Sequence, residues 1–592
     1  MRPKTEKQQS ESASIVVGVV AGWIGNNMRR NTQRRLLIDA LFLGVVGACS
    51  AQVFVFMVRV AQDWLLTGLA GYQPMGLPGD GGVAEQVIGP HGLWLIPLVT
   101  TLGGLLSGVL VFSIAPEAEG HGTDSAVRAF HRAGGYIRPR VIPLKAVTSA
   151  ITIGSGGAAG REGPTALIAA GVGSMYATLL RRPEEERRLH VLMGMAAALA
   201  AVFRSPIGTA FFAVEVLYSR IEFESNALLY TMLGSVVAYA LNGLFVGWEP
   251  IFQLPEPHFA AFIDYGWYLV LGGASGLIAT LLPLVFYGVR DAFLKLPGPP
   301  HIKPAIGGLG TGLMALALPQ VLGGGYGWIQ QAMEGHLGAG LLLTLVFAKM
   351  IAFALTVGSG GSGGVFAPGL FIGAMLGGFI AVFARQPPAP FVIVGMAAVF
   401  GGAARVPLTT LLMVTEMTGG YHLLAPAALS VMVSTLVQMS LSEHLPYQSL
   451  YEQQVPTPID SPVHQVTQLK DVLRLHGGQL LTIPDTLSHT DLLALSTSGV
   501  AIELPDGKQL SLGTLRSPNA SSESTLSVVE LEQGSTEAQI LAIFRQNHIL
   551  VPRADMMVEA GDQLLLLAPP EAWGRLEHFL DRFTGQARGH DR

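Results

Sequence analysis

Gly154-Ser155-Gly156-Gly157-Ala158-Ala159-Gly160-Arg161-Glu162-Gly163-Pro164 is a glycine-dense loop that runs straight into an apolar helix ending near Ser174, with one carboxylate, Glu162, near the helix start. Some two hundred residues on, the pattern returns: Gly358-Ser359-Gly360-Gly361-Ser362-Gly363-Gly364 leads through Pro368 into a second apolar helix. A buried helix N-terminus framed by glycines attracts negative charge, because its free N–H groups and its dipole both favour an anion. Two copies in one apolar chain predict a transporter built from repeats, with an anion site between them.

The composition fits a membrane protein. Half of the 592 residues are hydrophobic and 13% are charged, with a mean hydropathy of +0.46, which excludes an ordinary soluble or disordered chain. Glycine, at 73 residues, suits close helix contact in a membrane. The single cysteine, Cys49, excludes a disulfide framework and a thiol metal cluster, and reads as a small buried apolar residue. Residues 451–592 carry a net charge of −8, which leaves +3 on the remainder. The long apolar stretches stop near residue 455, so a soluble domain is expected from there. Residues 1–35 hold seven basic and two acidic residues before an apolar run from Leu36 to about Val60. That run is long enough to span a bilayer and lacks the short core and cleavage site of a signal peptide. The basic flank predicts a cytoplasmic N-terminus.

Apolar stretches cover roughly 36–62, 93–115, 145–180, 190–219, 226–247, 265–290, 305–322, 340–357, 368–384, 391–418 and 423–441. Several are broken by Gly or Pro, as at Gly163-Pro164, Pro206, Pro368 and Pro407. Broken helices at membrane depth are tolerated only where the freed backbone is buried or lines a cavity, so half-helices meeting at the midplane are expected. The repeat continues past the glycine loops. Arg204-Ser205-Pro206 precedes Glu215, and Arg405-Val406-Pro407 precedes Glu416, with eleven residues from Arg to Glu in both. Spacing alone does not say whether the repeats are parallel or inverted. In the tail, 480–484, 500–507 and 562–568 read as strands with turn signals at Asp506-Gly507 and Gly561-Asp562. Residues 534–546 and 570–583 read as helices, giving a small α+β module. The charged run 182–188 and the polar run 519–524 read as solvated connectors.

These residues resemble the CLC family of chloride channels and proton/chloride antiporters. Gly160-Arg161-Glu162-Gly163-Pro164 matches its G-[KR]-E-G-P motif. Gly358-Ser359-Gly360 through Gly364-Val365-Phe366-Ala367-Pro368 matches its second glycine motif. Arg405-Val406-Pro407-Leu408 through Glu416-Met417-Thr418 matches its R-x-P-L…E-M-T segment. Glu119-Gly120-His121-Gly122-Thr123 stands where its G-S-G-I-P motif belongs. The resemblance implies an all-α multi-pass membrane protein, an inverted repeat of broken helices over 36–455, assembled as a homodimer in the lipid bilayer of the cell membrane with both termini cytoplasmic. It implies that chloride is held by helix N-termini with amides at Val365 and Phe366, near Gly120, His121, Gly122, Gly160, Arg161 and Gly163. Main-chain dipoles hold an ion weakly enough for it to leave. Glu162 matches the family's gating glutamate, which competes with chloride and carries a proton. The alternative for Glu162 is a helix-start carboxylate that satisfies exposed amides.

Two positions depart from the pattern. His121 replaces a chloride-coordinating serine; its imidazole either donates to the anion or points away, leaving only the backbone amide. Val216 stands where many antiporters of the family carry a second glutamate, which leaves channel and antiporter both open, and Glu215 beside it reads as structural. The family's inner tyrosine matches Tyr451, in Ser449-Leu450-Tyr451, with Tyr447 as the other candidate. Residues 456–592 form the expected cytoplasmic regulatory domain. Within it about 525–585, including Val528-Val529-Glu530-Leu531 and Gly561-Asp562-Gln563-Leu564, resembles the TrkA-C domain of potassium-uptake regulators, which implies a small-molecule ligand or dimerisation.

The expected function is passage of chloride or a related small anion across a membrane, gated by Glu162 in a voltage- or pH-dependent way, either alone or in exchange for protons. The alternative is secondary transport of another inorganic or organic anion. No H-E-x-x-H motif or nucleophile partner for His121 is evident, so an enzyme is not expected, nor is a cofactor or a metal site. The acidic tail argues against nucleic acid as a partner.

Overall fold

The computed structural model describes residues 5–77, 82, 83, 85–254 and 264–461, with side chains from residue 32 on, together with strand segments between 502 and 568. The chain divides into two compact units, Met1–Thr457 and Pro458–Arg592.

The first unit is helical. Helix α1 (Thr5–Gln62) extends far beyond the apolar run and ends in a π-helical turn, Asp63–Leu69. After it come α2 (Ile96–Ile114), α3 (Thr123–Arg132), α4 (Val141–Gly154), α5 (Glu162–Leu179), α6 (Glu184–Phe203), α7 (Pro206–Glu215) and α8 (Ser225–Val246). The second half holds α9 (Asp264–Lys295), α10 (Lys303–Ala317), α11 (Tyr326–Met333), α12 (Ala339–Gly358), α13 (Phe366–Ala384), α14 (Pro388–Ala404), α15 (Pro407–Thr418) and α16 (Leu424–Ser442). Seven described helices are long and apolar enough to cross a membrane. The apolar stretches 145–180, 190–219 and 391–418 each break in two, at the Gly154 loop, at Arg204-Ser205 and at Arg405-Val406. Both arginines take the left-handed conformation as helix C-caps, with φ +52° and +56°. Close helix contact rests on glycine: a Cβ on Gly373 of α13 would lie 2.2 Å from the Gly395 carbonyl of α14, and one on Gly395 would lie 2.3 Å from the Gly373 carbonyl. This is the small-residue packing that lets backbones approach where lipid supplies no hydrophobic drive.

The repeats are inverted. Glu215, the last residue of α7, accepts bonds from the Leu408 and Thr409 amides at 3.1 and 2.7 Å, at the start of α15. Near the end of α15, Glu416 accepts from the Ser205 hydroxyl and from the Ile207 and Gly208 amides at 3.2 and 2.9 Å, at the start of α7. The C-terminus of each helix therefore meets the N-terminus of its counterpart. Equivalent helices that run antiparallel are related by a two-fold axis across them, not along them. These carboxylates satisfy amides that a helix start leaves unpaired. Glu215→Ala or Glu416→Ala should each destabilise the unit by about 2 kcal/mol, seen as a lower thermal midpoint in detergent, with Gln costing less because it keeps one acceptor. An unchanged midpoint in both alanine variants would mean that the caps carry no stability.

Several expectations are corrected. The run 182–188 is not a solvated connector: α6 starts at Glu184, because three glutamates in its first turn suit the positive end of a helix. Arg182 donates to the buried Asp39 at 2.9 Å, and Asp39 also accepts from Tyr176 at 2.8 Å. Cys49 is exposed on α1 rather than buried. A two-residue hairpin, β1 (Tyr72–Gln73) with β2 (Val87–Ile88), was not anticipated.

In the second unit, β3 (Ile502–Glu503), β4 (Gln509–Thr514), β6 (Gln539–Arg545), β7 (His548–Leu550) and β9 (Gln563–Ala568) form an antiparallel sheet in the order β3-β4-β9-β6-β7, while β5 (Leu526–Ser527) pairs with β8 (Met557–Val558). The helix expected over 534–546 is corrected: Gln539–Arg545 is a strand paired with β9. The run Ile540-Leu541-Ala542-Ile543-Phe544 is apolar on both faces, and such a short run is decided by its neighbours rather than by its period. The strand expected at 480–484, the connector 519–524 and the helix at 570–583 lie outside the described residues.

Candidate functional site

The two glycine loops meet each other. Gly160 and Gly364 exchange both backbone bonds, N to O at 2.9 and 2.6 Å, a reciprocal pairing of equivalent positions. Gly156 and Gly360 have φ of +100° and +99°, a turn that an L side chain would strain. The pairing sets the starts of α5 and α13 side by side, with Arg161 and Val365 as their N-caps.

Two buried lysines hold the flanking turns. Lys145 on α4 donates to the Ala118 and Gly120 carbonyls at 2.9 and 2.7 Å. Lys349 on α12 donates to the Val321 and Gly323 carbonyls at 2.7 and 2.6 Å. Each lies nine residues before the glycine that opens its loop, Gly154 or Gly358. The first turn carries His121 and the second leads into Tyr326. Neither lysine was singled out from the sequence; their shared offset from the glycine loops is the signal that could have found them.

Glu162 is 2% exposed. Its Oε1 accepts from the Tyr326 hydroxyl, while its Oε2 is buried without a hydrogen-bond partner, near the Ala367 amide in the first turn of α13. A carboxylate from one repeat thus sits at the helix N-terminus of the other. Beside it is a small pocket of about 10 Å³ lined by Thr123, Glu162, Gly163, Val365, Phe366 and Tyr451, with Leu199, Phe203, Phe212 and Met413. That volume accommodates about one water. The Phe366 ring packs at 4.5 Å from both Phe203 and Phe400.

Two larger cavities share no lining residue with this pocket or with each other. One, about 210 Å³, is lined by Arg161 and Tyr326 together with Arg59, Asp63 and the Gly323–Gly325 turn. The other, about 330 Å³, is lined by Gly120, His121 and Gly122, and rimmed by Glu117, Glu119, Asp124 and Glu452 with Arg128 and Arg290. His121 lies on this second cavity and not in the small pocket. Its Nε2 is 3.2 Å from Asp124 Oδ2, and its ring lies 5.5 Å from that of Tyr451. Tyr451 lines the small pocket and is 2% exposed. Tyr447 instead donates to Asp291 at 2.5 Å and stacks on Tyr287, away from the pocket.

Most of the expected site residues therefore come together around two paired helix starts. Gly120 takes part through its carbonyl, which accepts from Lys145 and from the Gly363 amide at 3.2 Å. Gly122 and Gly163 allow the α3 and α5 starts to touch. Thr123 stood in the first glycine motif but was not named as a site residue; Tyr326 was not anticipated, since it carries no charge and belongs to no periodic pattern, and the Gly323-Gly324-Gly325 run before a short helix is its signal.

Comparison with known proteins agrees with this geometry. Residues 103–439 match the family described as voltage gated chloride channel, and residues 522–581 match the TrkA-C domain. The H(+)/Cl(-) exchange transporter ClcA of Vibrio cholerae serotype O1 (strain M66-2) is 28% identical over 431 residues, 70% of this chain and 87% of that protein. The solved structure of a slow cyanobacterial Cl⁻/H⁺ antiporter superimposes with a TM-score of 0.60 at 22% identity, covering 74% of this chain and 99% of that one. A CLC-type fluoride/proton antiporter gives 0.60 at 22% identity, over 72% and 98%. With more than half of its length matched by the family, its glycine loops paired as inverted repeats and its fold shared with these structures, the chain belongs to the voltage-gated chloride channel (CLC) family and carries a TrkA-C domain toward its C-terminus.

Proposed function

We propose that this chain transports chloride or a related small anion across the cell membrane, along a path that runs from the Arg161 cavity past Glu162 and Tyr451 to the His121 cavity. The observation that carries the reading is the Glu162 carboxylate at the start of α13. A helix N-terminus that accepts a carboxylate accepts a free anion for the same reason, so the side chain and the ion compete for one place. The ionised side chain closes the path; on taking a proton it loses its attraction to the amides and yields to the ion. Val365, Phe366 and Gly163 supply the main chain at the anion position, Tyr451 bounds it on the other side, and Gly160 and Gly120 fix the loops that shape it. Arg161 raises the local anion concentration in its cavity without holding the ion at the narrowest point. The walls of the small pocket favour a monatomic anion over an organic one, whose carbon skeleton needs more room than one water.

Residues 36–455 form the transport domain in this reading, and 456–592 the regulatory one, with small-molecule binding by the TrkA-C part. The basic segment before α1 supports cytoplasmic termini, and the family supports a homodimer within the bilayer. Reconstituted into vesicles, the wild-type chain should release chloride when an ionophore clamps the charge. Simultaneous pH recording separates exchange, in which protons move against chloride, from a channel, in which they do not. Chloride release no faster than from empty vesicles would overturn the proposal.

A further inference from the structure

Tyr326 is the one side chain among the described residues whose hydroxyl donates to the Glu162 carboxylate. It opens α11 directly after Gly323-Gly324-Gly325, and its position is over-determined. Lys349 anchors the turn through the Val321 and Gly323 carbonyls. Gly325 has φ +81°, and a Cβ there would come within 2.4 Å of the Phe371 ring. The Tyr326 ring lies 5.8 Å from that of Phe252, and the Arg161 guanidinium lies over it at 5.7 Å. The tyrosine also lines the Arg161 cavity, whereas Glu162 lines the small pocket. The hydroxyl therefore stands between the larger cavity and the carboxylate.

We infer that Tyr326 is a latch on Glu162: its hydroxyl holds the ionised carboxylate against the start of α13 and so sets the pH at which the carboxylate lets go. This rests on the reading of Glu162 as the gate. A hydroxyl that donates to a carboxylate is a charge-assisted bond, stronger to the ionised than to the neutral acid. When the carboxylate takes one proton from the cavity, its charge disappears, the bond weakens and the side chain is free to leave. The proton stays on Glu162 throughout; Tyr326 keeps its own and acts by position.

The other groups around the pair are accounted for. Arg161, at the start of α5, faces both partners. Tyr451 lines the same small pocket as Glu162. Arg59 and Asp63, at the end of α1, share the cavity with Tyr326. Lys145 on α4 and Lys349 on α12 are turned to backbone carbonyls. Asp124 on α3 is engaged by His121 and by the Glu452 and Gln453 amides, both at 3.2 Å.

Tyr326→Phe removes the hydroxyl and keeps the ring with its Phe252 and Arg161 contacts, so the variant should fold, with a thermal midpoint that matches the wild type in acid buffer, where Glu162 is protonated, and falls below it only where Glu162 is ionised. In vesicles at a series of pH values, its chloride-transport profile should move to higher pH by about one unit, a tenfold change in proton affinity. Its limiting rate at acid pH should equal that of the wild type. In the Glu162→Gln background the same substitution should change nothing. An unmoved profile in Tyr326→Phe, with Glu162→Gln still flattening the profile, would overturn the latch and leave the gate standing. A shift that persists in the Glu162→Gln background would also overturn it, because the effect would not pass through Glu162. A profile that Glu162→Gln leaves intact would overturn gate and latch together.

Discussion

Gly163→Ala should abolish chloride transport and lower the yield of folded protein. A Cβ at Gly163 would lie 2.0 Å from the His121 carbonyl oxygen and 3.1 Å from the Gly364 Cα. Both neighbours are backbone, so neither can swing aside as a flexible side chain could. The His121 turn is pinned by Lys145 at Ala118 and Gly120, and Gly364 is pinned by its double bond to Gly160. Relief of the overlap must therefore push apart the two loops that set the starts of α5 and α13, and overpacking of this kind costs about 1–3 kcal/mol even where the surroundings relax. A displacement of about 1 Å at the narrowest point of the path is enough to misplace the amides that receive the ion. The measurement is chloride release from vesicles, with size-exclusion chromatography of the same sample. A monodisperse variant with wild-type flux would show that the contact between α3 and α5 does not shape the path. Gly273, where an added Cβ meets nothing within 4 Å, serves as the control: Gly273→Ala should be silent.

How much of this was legible in the sequence differs from residue to residue. The glycine loops and the Arg-x-Pro…Glu segments announced a duplication, because a helix start that must approach another backbone requires glycine at fixed offsets. Glu162 stood out as a lone carboxylate in an apolar stretch. The sense of the repeat was not legible in the spacing, since equal distances along the chain carry no direction; it is visible in space, in the reciprocal caps of Glu215 and Glu416. Tyr326 was hidden because its partner is 164 residues away in sequence and a single tyrosine after three glycines has no period. The lysines were hidden for the opposite reason: each sits in an apolar helix, and only the carbonyls of a distant turn explain it. His121 was legible as a departure, but its placement on the larger cavity beside Asp124 depends on α3, whose start is fixed by Gly122 at φ +88°. In the tail, short apolar runs identify β9, while β6 was misread, because strand and helix are indistinguishable in a five-residue run without its partner.

Glu162→Gln should leave chloride moving while removing the dependence of its rate on pH, together with any proton movement. Glutamine has nearly the shape of glutamate and cannot ionise, so it is a standing imitation of the protonated gate. It keeps an oxygen to accept from Tyr326 but has no net charge to hold it at the start of α13. In vesicles the variant should show a flat rate across the pH range in which the wild type varies, and proton movement should fall to background. A wild-type pH profile in this variant would assign the titration to another group.

The most direct measurement is the chloride affinity of purified protein, by titration calorimetry in mildly acidic and mildly alkaline buffer, for the wild type and for Glu162→Gln. If the carboxylate and the ion compete for the start of α13, the wild type binds chloride more tightly in the acidic buffer, by roughly tenfold for each unit of pH over which Glu162 titrates. The variant then binds with the tighter affinity in both buffers. Equal affinities for wild type and variant at every pH would contradict the account, because Glu162 would then occupy no place that chloride needs.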